Sequence, residues 1–264
     1  MRRQLALVIF TLFLSWFATA HEFWLQPQKF RVNVGEPLQI GFKAGENFAG
    51  EPWKFTSTRI AKLDWHQQGK AQDIQDLVVD EEKINLTVTP SQTGTHLFVL
   101  ESTDLFIKLD GEKFNAYLKE DGLDDALQHR TRNNQLADTA REFYSRHSKL
   151  LVQVGDKTDD TFRKTTSMPI EIVPLQNPYA LTIGDRITFR ILFNGKPLFG
   201  ARVKIFNRHN NRTTLQHIYS QQDGTVETTL SSPGPWLVSV VAMVPSKDPK
   251  AQWRSYWGSL TFGV

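Results

Sequence analysis

The chain has 264 residues, 31 Lys and Arg against 28 Asp and Glu, a formal net charge of +3, and no cysteine. That balance leaves no basic footprint for nucleic acid. The lack of cysteine excludes disulfides, thiolate metal sites and a lipid-anchored cysteine, so a metal site must draw on His, carboxylate, Met or backbone donors.

The first segment reads as a secretory signal peptide: Arg2 and Arg3, an apolar run from Leu5 to Phe17, then Ala18-Thr19-Ala20 as a small-x-small cleavage site. The apolar run is shorter than the ~20 residues that span a bilayer. Cleavage after Ala20 takes 20 residues from the 264 and leaves 244. It removes two arginines, which lowers the net charge from +3 to +1. A cysteine-free exported chain suits a bacterial periplasm.

Cleavage makes His21 the first residue. Its free α-amine, with a reference pKa near ~8, lies one short chelate ring from its own imidazole Nδ1. Amine and ring together suit Cu(II), Ni(II) or Co(II). The alternative is that the peptidase tolerates many residues here and histidine arrived by chance.

Next comes "FRVNVGEPLQIGFKAG" (30–45), two alternating strands around Val34-Gly35-Glu36. The same design returns in "YALTIGDRITFRILFNG" (179–195) around Ile183-Gly184-Asp185. A second pair of blocks follows these, "PSQTGTHLFVLES" (90–102) and "SSPGPWLVSVVA" (231–242), each a turn with Gly ahead of a strand. The internal duplication predicts a mainly β chain with two Ig-like antiparallel β-sandwich domains. Residues 21–174 form the first and 175–264 the second.

Between the repeats, "FNAYLKEDGLDDALQHRTRNNQLADTAREFYSRHSKLLVQVG" has a different texture. Apolar spacing predicts helices over 114–130 and 136–147, the second capped by Asp138, within a mostly helical insert at about 110–148. Asp121, Asp124 and Asp125, around a helix start, read as solvated or dipole-stabilising. Strand character returns at 149–154 and 168–173, and "MPIEIVP" reads as the last strand of the first domain. Domain two then begins near Leu175. "GKPLFGARV", the Asp223-Gly224 hairpin signal and "PGPW" follow, an order that resembles the carboxypeptidase-regulatory-like and related Ig-like modules of exported proteins.

No G-x-S-x-G elbow, H-E-x-x-H, P-loop or G-x-G-x-x-G occurs, so neither an enzyme nor an organic cofactor is expected. The seven histidines form no helical i, i+4 pair and no H-x-H, so a metal site has to assemble across the fold. His96, opening the strand "HLFVL", is the candidate partner for His21; the competing reading is an exposed strand-end side chain. His66, His129, His209 and His217 read as surface residues, and His147 as a helix-end residue near acids. Trp24, Trp53, Trp65, Trp236, Trp253 and Trp257 read as core.

Several stretches together, "AHEFWLQP", "KFNAYLKEDGL", "YSRHSKLLVQVGD", "PIEIVPLQNPYALTIGD", "ILFNGKPLFGARV" and "YWGSLTFGV", resemble the domain-of-unknown-function family 4198. The resemblance runs over almost all of residues 20–264. It implies an exported protein of nickel or cobalt uptake, with a membrane metal transporter as its partner. The start His21-Glu22-Phe23-Trp24-Leu25 matches the family; Ala242, before Met-Val-Pro, stands where relatives often have His. An N-terminal His on an Ig-like sandwich also resembles the periplasmic copper-resistance C proteins in architecture.

The expected function is thus a periplasmic protein that binds nickel, cobalt or copper, with His21 and His96 as metal ligands. The alternative is a non-metal envelope accessory protein whose two Ig-like modules dock a partner.

Overall fold

The two Gly-acid turns of the sequence are one turn made twice. Gly35 (φ +80°) donates its N–H to the Pro90 carbonyl at 2.8 Å, and Gly184 (φ +100°) donates to that of Leu230 at 2.9 Å. The acid that follows each closes the turn: Glu36 accepts from Asn33 N–H at 3.0 Å, and Asp185 from Thr182 N–H at 2.8 Å. Glycine tolerates the positive φ, and the carboxylate takes up a backbone donor the turn exposes.

A computed structural model describes residues 22–264 apart from 55, 81 and 82. The first half contains β1 (Glu22–Pro27), β2 (Arg31–Val32), β3 (Leu38–Glu46), β4 (Ala49–Pro52), β5 (Ile60–Gln67), β6 (Lys70–Asp73), β7 (Leu86–Val88), β8 (Gly94–Ser102) and β9 (Leu105–Leu109). Helices α1 (Gly111–Glu120) and α2 (Asp124–Arg132) come next, and then the long β10 (Ala140–Val154). The second half contains β11 (Ile170–Pro174), β12 (Arg186–Phe193), β13 (Lys196–Pro197), β14 (Arg202–His209), β15 (Arg212–Tyr219), β16 (Thr225–Thr229), β17 (Pro235–Pro245) and β18 (Trp253–Gly263).

The duplication shows in the pairing. One small sheet runs β1-β3-β4 with β7 also on β3; the other runs β11-β12-β13 with β16 also on β12. The large sheet reads β6-β5-β8-β10 from one half and β18-β17-β14-β15 from the other. The halves meet where β10 and β18 pair in parallel, Glu142 opposite Trp253 through Leu150 opposite Thr261.

This corrects the expectation of separate sandwiches, because strands of both halves share one sheet. The small sheets cover opposite faces of it. Leu97 and Val99 of β8 pack with Ile170, Phe189 and Val238, whereas Phe98 and Leu100 pack with Phe23, Ile40 and Leu150. A strand buried on both faces reads as a continuous apolar run, which accounts for "LFVL".

Two further corrections concern the middle of the chain. The helix expected over 136–147 is the first half of β10, and "MPIEIVP" supplies β11, which pairs with β12 of the second half. The polar side chains of β10 mimic a solvated helix face, yet most are buried, and several of them find partners across the fold. Ser148 pairs with Ser259 at 2.8 Å, and Lys149 with Glu171 at 2.6 Å. The helix expected over 114–130 exists as α1 and α2, whose Phe114, Tyr117 and Leu118 pack on Val241, Trp253 and Trp257 beside the β10–β18 junction.

Candidate functional site

His21 lies outside the described residues, so the surroundings of the chain's start are read from Glu22 onward. Glu22 opens β1 and is 4 % exposed. Its Oε1 accepts from Lys204 Nζ at 2.8 Å, and the same ammonium donates to Asp121 Oδ1 at 2.7 Å. Lys204 comes from β14, on the strand face opposite the buried Val203 and Ile205. Asp121 is delivered by the end of α1. Arg202, two residues before Lys204 on the same strand face, donates to the Lys119 carbonyl at 2.9 Å and the Glu120 carbonyl at 3.2 Å. A cation on the last carbonyls of a helix satisfies orphan acceptors and suits the dipole. That contact seats the C-terminus of α1 so that Asp121 meets Lys204. The expectation that Asp121 is solvated is therefore corrected: it is 6 % exposed.

One ammonium serves two buried carboxylates here. Burial is the main reason that the Asp121 carboxyl is pushed up to about 7, against the pull of Lys204 and with help from the Glu22 charge. Those same two acids hold the Lys204 ammonium well above its ordinary value, against the opposing effect of burial. His217, opposite Lys204 on the exposed strand β15, is held below the ordinary histidine value by partial burial, Arg202 and Lys204, while Glu22 opposes them.

A third acid stands close by. Glu142 Oε1 accepts from Ser255 Oγ in a short contact and from Tyr117 Oη at 3.2 Å; Ser255 Oγ in turn accepts from Trp257 Nε1 at 3.0 Å. Its Oε2 has no hydrogen-bond partner among the described residues. Burial pushes this carboxyl up to about 7. Glu142 thus holds its proton more tightly in the folded chain than in the unfolded one. Its contribution to stability is full below the ordinary carboxylate range and is lost as pH rises through about 7. Stability should fall from about pH 5 to about pH 8, by about 3 kcal/mol on account of Glu142. Glu142→Gln should flatten that slope. Melting curves across this range check the point, and an unchanged slope in the variant contradicts it.

His96 is fully buried rather than an exposed strand end. Its Nδ1 accepts from Trp65 Nε1 at 3.0 Å, and its Nε2 lies 3.0 Å from the Gln92 carbonyl. An indole only donates and a carbonyl only accepts, so the ring is neutral with its proton on Nε2. Burial outweighs the opposing pull of the Gln92 carbonyl and Asp159 and lowers its pKa. Both nitrogens are engaged, and in this arrangement His96 has no lone pair to give a metal. It belongs to β8 of the large sheet, Glu22 to β1 of a small one. Among the described residues no group of three or more His, Asp or Glu is arranged to hold a metal ion.

Two other histidines also differ from expectation. His66 and His147 are each 4 % exposed, and both lie on strands of the large sheet. Burial pushes the His66 imidazole down to about 4. His147 does sit near an acid, with Nδ1 3.4 Å from Glu101, but from within β10 rather than a helix end. His129, His209 and His217 are exposed as expected. Of the six tryptophans expected in the core, Trp24, Trp65, Trp236, Trp253 and Trp257 are buried, and Trp53 is half-buried.

The sequence reading missed Glu22, Asp121, Lys204 and Glu142. The available local signal was slight, a charged residue directly beside large apolar ones in "HEFW", "VKIF" and "REFY".

The profile of one family, described as Domain of unknown function (DUF4198), matches residues 18–244. No curated protein matches the chain. Among solved structures, a Salmonella alpha-2-macroglobulin mutant is similar at 11 % identity over 91 % of this chain and 15 % of that one, with a TM-score of 0.25. A tetra-tandem repeat from the extending region of a large adhesion protein is similar at 7 % identity over 92 % of this chain and 49 % of that one, with a TM-score of 0.21. Three N-terminal domains of the bacteriophage RB49 Hoc capsid protein are similar at 8 % identity over 91 % of this chain and 70 % of that one, with a TM-score of 0.22. The chain thus spans 15 % and 49 % of the first two structures.

Proposed function

We propose, from the premise that the chain belongs to the family Domain of unknown function (DUF4198), that it is exported and binds nickel, cobalt or copper through His21. Cleavage after Ala20 gives this one residue two nitrogen donors, an amine and an imidazole. A chelate drawn from a single residue does not need the preassembled cluster of a structural zinc site.

The observation that carries the reading is the anchoring of Glu22. The residue next in the chain to His21 is buried and tied to Lys204, and Asp121 shares that ammonium. Consecutive Cα atoms are about 3.8 Å apart across a trans peptide. A cation bound at the chain's start would therefore lie near the Glu22 carboxylate and, above about pH 7, that of Asp121 as well, which attract it against the Lys204 ammonium. Carboxylate oxygens of Glu22 and Asp121 are also acceptable ligands for these borderline ions. His96 is not part of the proposed ligand set, since both its nitrogens are engaged.

Calorimetric titration of Ni(II), Co(II) and Cu(II) into protein that begins at His21 should give one site per chain. His21→Ala should remove it. Equal heats from the two proteins would contradict the reading.

A further inference from the structure

Among the described residues, Arg146 is a buried cation with no anion. It lies on β10 and is 7 % exposed. Its side chain makes no hydrogen bond or ion pair with any described residue, and Nη1 is buried without a partner. Its carbon Cζ instead lies 5.2 Å from the ring centre of Phe23, 5.3 Å from that of Trp53 and 5.7 Å from that of Tyr144.

The other buried cations are served differently. Lys149 has Glu171, and Lys204 has Glu22 and Asp121. Arg130 donates to Asn115 Oδ1 and to the carbonyls of Gln135 and Asp138. A guanidinium stays charged at any pH a protein meets. Aromatic faces attract it but satisfy none of its N–H groups.

Two of the three rings around Arg146, Trp53 and Tyr144, are also walls of a cavity of about 470 Å³. Lys54 and Arg59 stand exposed on that cavity, and Phe106 of β9, 52 % exposed, adds another ring. No carboxylate is among its lining residues that are described. Asp104, next to the lining residue Leu105, is already gripped by Arg254 through two hydrogen bonds at 2.6 and 2.8 Å. Two cations, Lys54 and Arg59, and three aromatic rings therefore line the cavity, Arg146 lies against two of those rings, and no free acid stands between them among the described residues.

We propose that this cavity is a binding site for an aromatic carboxylate, its ring among Trp53, Tyr144 and Phe106 and its carboxylate met by Lys54 and Arg59. Arg146 supplies positive potential from behind the rings, where the low dielectric leaves it little screened. The volume falls within the range of small-ligand sites, and apolar or aromatic side chains (Trp53, Leu105, Phe106, Tyr144) stand beside two convergent charges, Lys54 and Arg59.

The site is independent of His21, and its test uses no metal. Binding of 2-naphthoate is followed by calorimetry beside its uncharged analogue 2-naphthalenemethanol and the cation 2-naphthylmethylammonium. Naphthoate should bind at least about tenfold more tightly than the alcohol and more weakly as salt rises, and the cation should not bind. Lys54→Ala with Arg59→Ala changes only exposed side chains and should cost about tenfold or more in naphthoate affinity. Trp53→Ala should abolish binding. Arg146→Gln should weaken it as well; if that variant does not fold, the Lys54/Arg59 pair decides. No naphthoate binding at millimolar concentration, equal binding of the alcohol, or an unchanged Lys54/Arg59 variant would each overturn the proposal.

Discussion

Lys149→Met should destabilise the protein by about 3–5 kcal/mol, the usual cost of removing one partner from a buried ion pair. Lys149 Nζ lies 2.6 Å from Glu171 Oε2, and both side chains are 2 % exposed. The pair joins β10 to β11, and so ties the first half of the chain to the second. Glu171 also accepts from Thr166 N–H at 2.8 Å and Thr166 Oγ1 at 3.1 Å, while Lys149 donates to the Lys164 carbonyl at 3.0 Å. Losing the ammonium alone would strand a carboxylate in a site where no water can solvate it. Glu171→Gln added to Lys149→Met removes that charge and keeps an acceptor for Thr166. The double variant should recover part of the loss, with a coupling of about 1–3 kcal/mol. Denaturant unfolding of the three variants measures this. A single Lys149→Met variant within about 1 kcal/mol of the parent would contradict it.

The second large effect is on metal affinity. One extra residue ahead of His21 leaves the imidazole intact but turns the amine into an amide, which is no longer basic. Two linked donors act with an effective concentration that a single donor lacks, a gain of roughly 10²–10⁴ in affinity. The extended protein should lose most of that gain, and so fall close to His21→Ala. Affinity should also decline with acid, because amine and imidazole must both be deprotonated to bind. Competition against a chelator indicator at several pH values gives the numbers. Equal affinity with and without the extra residue would make His21 an accident of cleavage.

Much of the architecture is legible locally. Gly35-Glu36 and Gly184-Asp185 announce their turns because a positive φ and a nearby carboxylate acceptor are both encoded within a few residues. The repeat of those turns, and of the strands that became β8 and β17, discloses the duplication. What the sequence does not disclose is contact between distant segments. β10 looks helical because Glu142, Arg146 and Lys149 look solvated; their partners Ser255, Trp53 and Glu171 come from segments 22 or more residues away. The parallel pairing of β10 with β18 has no local signature either, so two halves were expected apart that share a sheet.

The candidate site divides in the same way. His21 was singled out by a cleavage pattern, a covalent feature that a sequence carries whole. Glu22, Asp121 and Lys204 meet only once β1, α1 and β14 have packed. His96 reads as a ligand from its place at the head of a strand. Its neighbour across the sheet, Trp65, uses the lone pair a metal would need.

The most direct test of the central claim is the electron paramagnetic resonance spectrum of Cu(II) bound at one equivalent to protein starting at His21, with histidine labelled with nitrogen-15 throughout. Both the amine and the ring nitrogen of His21 then carry the label. The account predicts coupling to two labelled nitrogens, reduced to at most one when a residue of unlabelled type precedes His21. A spectrum unchanged by that extension, or copper that stays unbound in both proteins, would contradict it.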